Sequence, residues 1–352
     1  MKRHLKWIAV IASILMLLST TVGCSKPEEP VPEMAPVAAP ETAVATEEVK
    51  QEEPVQLDYP KKDITLVVPF AAGATHDLIT RAFGSLMSER FGVNVVVQNI
   101  AGSGGLIGSK DVQGRPADGY TIAIACPEVF ATDMIKGAAE EGWIDQWEWI
   151  GNWSLDPGIV CVAADSPYNT LEELMAAAKA APGELRWAST GTGGKNNLDS
   201  MYIWKLCGDA NFTYVPYGQG VEARTAVQGG HAEAVYNYAS ESAASVQAGE
   251  LKALVVTSAE RLDFLPDVPT LKELGMDAEM GLTRPWCVKK GTPTEIVEFL
   301  EKTCEELYNS PEGAEIRTTM NAAPGWMTGE ELKQWGYDWF EVYSDLYAQL
   351  MG

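Results

Sequence analysis

The sequence is poor in the residues that most catalytic and metal sites need. Of its three histidines, only His76 and His231 lie beyond the N-terminal apolar segment, which argues against a histidine-based metal site. No Gly-x-Ser-x-Gly motif is present, and two histidines leave few candidates for Ser–His–acid catalysis. The sequence therefore predicts a protein without a catalytic residue, a metal or a cofactor.

Basic residues are also scarce. The chain has 26 Lys and Arg against 49 Asp and Glu, a formal net charge of -23. Nucleic-acid binding needs a basic surface and is excluded, and docking on anionic lipid through a basic patch is disfavoured. A small anionic ligand stays open, because a few backbone amides at a helix start can hold a carboxylate in an acidic protein.

Cysteine is present without a pairing pattern. There is no Cys-x-x-Cys, so no zinc or redox motif is visible. Beyond Cys24, five cysteines are scattered along the chain: Cys126, Cys161, Cys207, Cys287 and Cys304. Buried single thiols are expected more than a disulfide framework, although an exported protein could form one pair.

Residues 1–23 are predicted to be the signal peptide of a lipoprotein. A basic segment, residues 1–6, precedes an apolar run, residues 7–18, that is too short for a stable membrane span. The sequence that ends at Cys24 resembles a bacterial lipobox, which implies cleavage before this cysteine and lipidation of its thiol. An ordinary secretory signal with an incidental Cys24 is the alternative.

Residues 24–58 are predicted to be a disordered tether that starts at the lipidated cysteine. The segment is acidic, rich in Pro, Ala and Val, and nearly free of aromatic residues. Such a composition cannot bury enough apolar surface to offset the entropy lost on ordering. The lipid and tether together predict an extracytoplasmic domain anchored to a cell membrane.

The remaining residues predict an α/β fold. Apolar runs alternate with helical periodicity, and small-residue turns follow several of the runs, as at the carboxyl ends of strands in a doubly wound sheet. The predicted strands include residues 64–68 and 251–256 and a strand that begins near Ile159, and Thr170 with Glu173 forms an S/T-x-x-E capping box at a helix start. We expect two lobes that face a cleft. The first lobe takes residues 59–157, the second lobe takes residues 158–281, and residues 282–352 return to the first lobe and add C-terminal helices.

Several motifs have competing interpretations. The turn from Ser189 to Lys195 lacks the pattern of a P-loop, and the glycines after Gly102 lack that of a dinucleotide fingerprint. His76 beside Asp77 could form an acid–base pair, but adjacent residues at a helix start point in different directions. Asp77 is expected to cap the helix, either alone or with an added role in the pocket.

Aromatic and basic residues leave two further alternatives. Trp143, Trp147, Trp149 and Trp153 could form an aromatic cage for a cation, but packing in the core is the favoured interpretation. Arg284 could pair with a ligand carboxylate, and a solvated or ion-paired hinge residue is the modestly preferred alternative.

Ordered motifs over nearly all of residues 59–335 resemble the extracytoplasmic solute receptors of tripartite tricarboxylate transporters, also called Bug-type receptors. The matching segments are residues 59–70, 72–77, 99–108, 117–121, 215–217 with Gly220, 228–230, Arg261 with the run at residues 265–275, and Gly-Thr-Pro at residues 291–293. The first loop departs from the family's Pro-Gly-Gly-x-x-Asp pattern at Ala72 and Ala74, so the identity of the ligand is expected to depart there too.

The resemblance implies a type II periplasmic-binding-protein clamshell. Its ligand would be a small mono- or dicarboxylate held by backbone amides and waters, and its partners the large and small membrane subunits of a permease. The chain would act as a monomer. The candidate ligand-binding residues are Phe70, Ala72, Gly73, Ala74, Thr75, His76, Asp77, Ser103, Gly104, Pro127, Ser189, Thr190, Gly191, Thr192, Gly193, Tyr217, Tyr236 and Asn237. A co-receptor for a sensor kinase is the alternative function, and an exported hydrolase ranks far behind both.

Overall fold

The computed structural model describes residues 57–351, so the predicted signal peptide, Cys24 and almost all of the tether lie outside the described residues. The strands are β1 (Ile64–Val68), β2 (Val95–Asn99), β3 (Thr121–Ile124), β4 (Trp147–Ala163), β5 (Arg186–Thr190), β6 (Thr213–Tyr217), β7 (Ala234–Tyr238), β8 (Leu251–Val256) and β9 (Gly281–Lys289). The helices are α1 (Thr75–Phe91), α2 (Leu106–Gln113), α3 (Pro127–Ile135), α4 (Leu171–Ala180), α5 (Lys195–Leu206), α6 (Gly220–Gln228), α7 (Ala239–Gln247), α8 (Thr294–Tyr308), α9 (Pro311–Thr319) and α10 (Gly329–Met351).

The first lobe is built on a mixed sheet. Its strand order is β2-β1-β3-β9-β4, in which β1 is parallel to β2 and β3, whereas β9 is antiparallel to both β3 and β4. The parallel strands are joined by α1 and α2, as crossover connections between parallel strands require. Helices α8 and α9 cover the same lobe, since Leu300, Cys304 and Ile316 pack into its core with Leu66 and Phe83.

The second lobe shares one strand with the first. Residues 147–157 of β4 pair with β9, and residues 158–163 then pair with β7 and β8 in the second sheet. There β5 is parallel to both β6 and β7. The chain therefore forms the predicted α/β clamshell, with β4 and β9 passing between its lobes. We call this crossing the interlobe junction and define it by residues 155–158 and 281–284.

The four tryptophans that precede and begin β4 are core residues. Trp143, Trp147 and Trp149 surround Phe130, with ring centroids about 6 Å from it (6.0, 5.6 and 6.0 Å). The β4–β9 register shifts between residues 149 and 151, and Trp153 lies on the opposite face of the sheet, against the Phe83 ring. All four are at most 7% exposed, so the packing interpretation is confirmed.

The C-terminal helix joins the two lobes. In α10, Leu332 packs in a cluster with Val67 and Trp147 of the first lobe. Further along the same helix, Trp339 and Tyr343 belong to the second lobe's core. Residues 282–352 therefore extend beyond the first lobe, because the apolar stripe of α10 is long enough to reach both cores.

The described cysteines are unpaired thiols, as expected. Cys126, Cys161, Cys287 and Cys304 are buried and Cys207 is half-buried. In residues 57–351, no helix combines the length and apolar character that a membrane crossing demands.

Candidate functional site

The interlobe junction is where the carboxyl ends of strands from both lobes meet. Cys126 follows β3, Tyr238 ends β7 and Leu282 lies in β9, and these three residues pack together. Helices α3 and α7 begin directly after the first two of them. Open α/β sheets bind ligands at such strand ends, where helix N-termini present unpaired N–H groups. We therefore take the junction as the candidate ligand site.

The loop after β1 is shaped by Asp77. Gly73 takes the left-handed conformation (φ 82°), and Ala74 is extended, so the alanine in the departing motif is not strained. The Asp77 carboxylate is 2% exposed and accepts hydrogen bonds from Gly73 N (2.8 Å) and Asn99 Nδ2 (2.9 Å). Burial opposes its ionisation, but bonds from Arg81, Gly73 and Asn99 prevail and lower the pKa of Asp77.

Replacing Asp77 by Ala is expected to lower the free energy of unfolding by about 2 kcal/mol, because the part-buried bonds from Gly73 N and Asn99 Nδ2 lose their acceptor. Urea denaturation measures the loss. Asp63→Ala is the matched control, since Asp63 also accepts from an asparagine side chain (Asn94, 3.1 Å) but is exposed. Equal effects of the two substitutions would contradict a structural role for Asp77.

Four N–H groups of the glycine-rich turns are bonded within the protein. The acceptors are Asp77 Oδ2 for Gly73 (2.8 Å), Ala71 O for Ala74 (3.2 Å), Tyr217 O for Gly191 (3.0 Å) and Asn197 Oδ1 for Gly193 (2.9 Å). Within residues 57–351, the N–H groups of Thr75 and His76 in α1 and of Lys195 and Asn196 in α5 have no acceptor. The first helical turns thus offer unpaired donors, as helix N-termini do.

Other candidate residues from the second lobe are engaged inside the protein. Ser189 Oγ donates to Tyr236 O (2.8 Å), and Tyr236 Oη donates to Asp199 Oδ2 (2.8 Å). Thr190 Oγ1 accepts from Asn196 Nδ2 (2.7 Å). Their polar atoms therefore hold the loop after β5 in place. Asn237 bonds the Gly220 carbonyl (3.2 Å), Thr192 is exposed, and Tyr217 lines a surface groove with Val221 and His231.

The remaining candidates lie in the first lobe. The Phe70 ring is 4.4 Å from the His76 ring, centroid to centroid. Ala72 is exposed, as are Ser103 and Gly104, which begin a short helical turn before α2. Pro127 is buried, and a Cβ on Gly336 of α10 would lie 2.7 Å from it. Pro127 therefore lies at the contact between α3 and α10.

His76 and Cys126 form a neutral pair at the junction. His76 Nε2 lies 3.6 Å from Cys126 Sγ, which donates to Thr283 O (3.1 Å). Burial and the nearby Arg284 lower the pKa of His76, while burial and Glu128 raise the pKa of Cys126. Neither group is charged at neutral pH, so the pair lacks the thiolate of a reactive cysteine. The Asp77 carboxylate bonds elsewhere, which removes the dyad of the hydrolase alternative.

A buried ion pair crosses the junction between its two strands. The Arg284 guanidinium in β9 is 3% exposed and bonds Asp156 Oδ2 in β4 through Nη2. Asp156 also accepts from Ser240 N (3.1 Å) and Ser240 Oγ (2.5 Å) at the start of α7. Arg284 is therefore ion-paired, as one of its two interpretations expected. It is also buried, so the solvated form of that interpretation is wrong.

A second buried cation follows the turn after β5. Lys195 Nζ bonds Asp199 Oδ2 (2.6 Å), and the lysine side chain is 4% exposed. The Asp199 carboxylate accepts from Tyr236 Oη (2.8 Å) and from Tyr343 Oη of α10 (2.5 Å). This network fixes the first turn of α5 against the C-terminal helix.

The sequence did not assign four residues to the site: Cys126, Glu128, Asp156 and Lys195. Glu128 is fully buried and accepts from Thr283 N (2.7 Å). One signal was available, because Cys126 and Lys195 each follow the carboxyl end of a parallel strand. The pairing of Asp156 with its partner in β9 had no local signal, since it depends on two strands far apart in the chain.

The family model and the related proteins that match this chain agree with one another. A model of the family described as "Tripartite tricarboxylate transporter family receptor" matches residues 79–341. The chain is 32% identical over 265 residues to the UPF0065 protein in the tcbD-tcbE intergenic region of a Pseudomonas species. The aligned residues are 73% of this chain and 77% of that protein. It is 28% identical over 281 residues to the protein BugT of Bordetella pertussis, with coverage of 77% and 84%.

Solved structures agree with the family model and with these related proteins. A TctC solute-binding protein from Polaromonas has a TM-score of 0.72 and 30% identity, and the match covers 83% of this chain and 99% of that one. The periplasmic binding protein BugD has a TM-score of 0.66 and 26% identity, with coverage of 83% and 98%. An R. palustris protein solved with adipate has a TM-score of 0.70 and 26% identity, with coverage of 82% and 97%.

Proposed function

The chain belongs to the receptor family of tripartite tricarboxylate transporters, and from this premise we propose that it captures a small carboxylate outside the cytoplasm and delivers it to a tripartite permease. The family and fold are those of solute-binding receptors and not of enzymes. Receptors of this family are extracytoplasmic. The proposal adds the capture site and the delivery step.

The observation that carries the capture proposal is the junction itself. It combines unpaired N–H groups in the first turns of α1 and α5 with a buried arginine, and all of them favour a negatively charged ligand. The relative solved with adipate supports a carboxylate in particular. Closure of the lobes around the ligand would exclude water and strengthen these contacts.

Calorimetry with the full chain tests the capture step. The titrants are mono-, di- and tricarboxylates and aromatic acids, each paired with its uncharged amide. We expect at least one acid to bind and its amide to bind much more weakly, because the amide lacks the charge that the N–H groups and the arginine attract. A folded protein that binds none of the acids would contradict the proposed function.

Delivery to a permease needs a separate measurement. Cells that hold the receptor with the large and small membrane subunits should take up the acid that the receptor binds, and cells without the receptor should not. If the acid binds and induces a transcriptional response without any receptor-dependent uptake, the chain is instead a co-receptor for a sensor kinase. In this scheme we propose that the receptor acts as a monomer.

We also propose that Cys24 carries the membrane anchor and that residues 25–58 act as a tether. The small residues before Cys24 and the short apolar run at residues 7–18 support lipidation. Mass spectrometry of the membrane-extracted protein should find an acyl-modified Cys24 at the new N-terminus. Cys24→Ser is expected to release the protein from the membrane fraction. A membrane-bound Cys24→Ser variant would contradict the anchor.

A further inference from the structure

Arg284 has hydrogen-bond donors that nothing in the described chain uses. Its Nη2 bonds Asp156, but Nε and Nη1 are buried and have no partner in residues 57–351. A guanidinium carries five N–H donors, one on Nε and two on each Nη, so at least three are unsatisfied here. Buried donors without acceptors are costly and rare, and a buried arginine is the extreme case because it also carries charge.

The ion pair with Asp156 does not explain these unused donors. Asp156 is fully buried and also accepts from the backbone N–H and hydroxyl of Ser240, so only one of its three bonds comes from the guanidinium. One carboxylate oxygen on one guanidinium nitrogen is also less than the two parallel bonds that an arginine–carboxylate pair can form. The pair therefore orients the guanidinium and leaves most of it open to another acceptor.

The guanidinium lies between the lobes. The backbone N of Arg284 donates to Asn152 Oδ1 (2.7 Å), and this bond holds β9 against β4 at the junction. The positive charge of Arg284 acts to lower the pKa of His76 in the first lobe and the pKa of Glu241 in the second. The unused donors are thus placed where the strand ends of both lobes converge, which is the position of a ligand in this architecture.

We propose that Arg284 binds a carboxylate of the solute directly through its unused donors and makes ligand choice depend on a side-chain charge. The proposal rests on the proposed function of solute capture. A carboxylate fits better than a phosphate. It adds a single negative charge beside the Asp156 carboxylate, whereas a phosphate carries up to two and would be repelled more strongly by Asp156 and Glu241.

The test is calorimetry of the full chain with adipate, succinate, benzoate and their amides. Arg284→Gln/Asp156→Asn removes both charges together, so that neither is left buried alone. We expect this variant to lose at least about 30-fold in affinity for the acid that wild type binds, because a buried charged bond is lost. Binding of any amide should be unchanged. Arg261→Gln is the matched control, since Arg261 is an exposed, ion-paired arginine (Glu273, 2.9 Å).

The outcomes separate the two claims. If wild type binds none of the acids, the proposed function fails and the inference fails with it. If wild type and the double variant bind an acid equally, Arg284 does not contact the ligand and the proposed function stands. Should circular dichroism show that the double variant is unfolded, Arg284→Lys decides. It keeps the charge but has fewer donors, and an unchanged affinity would overturn the proposal, whereas a loss of about tenfold supports it.

Discussion

Replacing Asp199 by Ala is expected to lower the free energy of unfolding by about 4 kcal/mol, because the substitution leaves a buried lysine without its counter-ion. Asp199 is fully buried and accepts from Lys195 (2.6 Å), Tyr236 (2.8 Å) and Tyr343 (2.5 Å). Burial and the Asp199 charge raise the pKa of both tyrosines, so both phenols stay protonated and donate. The substitution removes all three bonds at once.

Asp145→Ala is the matched control for this measurement. Asp145 also pairs with a lysine and a tyrosine of α10, Lys333 and Tyr337 (2.6 Å), but its side chain is 45% exposed. Water can replace those partners, so the control should lose at most about 1 kcal/mol. Urea unfolding of the two variants gives the comparison. Similar losses in both would show that burial of the Asp199 network contributes nothing.

Raising the pH from 4.5 to 7 is expected to reduce stability through Glu241 by on the order of 3 kcal/mol. Burial and the Asp156 carboxylate raise the pKa of Glu241 from 4.5 to about 7, against the opposing effects of Arg284, Arg224 and Asn237. In this window the folded protein retains a proton that the unfolded chain releases. Stability is therefore lost as the pH rises and becomes constant above the folded pKa.

Glu241→Gln tests this expectation, because glutamine mimics the protonated acid. Wild type and the variant should have similar stability near pH 4.5, and the variant should be the more stable protein at pH 8. Asp133, whose pKa burial raises to about 6, adds a similar trend to both proteins and cancels in the difference. Parallel stability curves for the two proteins across pH 4.5–8 would refute a role for Glu241.

Local signals in the sequence were sufficient for much of the fold. The predicted strands at residues 64–68 and 251–256 have the observed bounds of β1 and β8, because each is an apolar run between turn residues or charges. The capping of α4 was also predicted, and Thr170 Oγ1 accepts from Glu173 N (3.2 Å). The Glu173 carboxylate bonds Asn169 N instead of the N-cap N–H, one residue away from the expected capping box.

The parts of the fold that depend on pairing between distant strands were not predicted from the sequence. Only the end of β4 was predicted, from Ile159, although the strand starts at Trp147. Its first half is defined by antiparallel pairing with β9, more than a hundred residues later. Its tryptophans keep an even spacing in the sequence, but the register shift places Trp153 on the opposite face from Trp147 and Trp149. The same pairing assembles Asp156 with Arg284, so the charged centre of the site was equally hidden.

The sharing of β4 by both sheets has a thermodynamic consequence. Residues 147–157 complete one sheet and residues 158–163 the other, and α10 adds a second connection between the cores. Loss of either lobe would strip a strand from its neighbour, so partial unfolding leaves no intact subdomain behind. We therefore expect the two lobes to unfold as one cooperative unit, so that substitutions at Asp199 and at Glu241 shift the same melting transition.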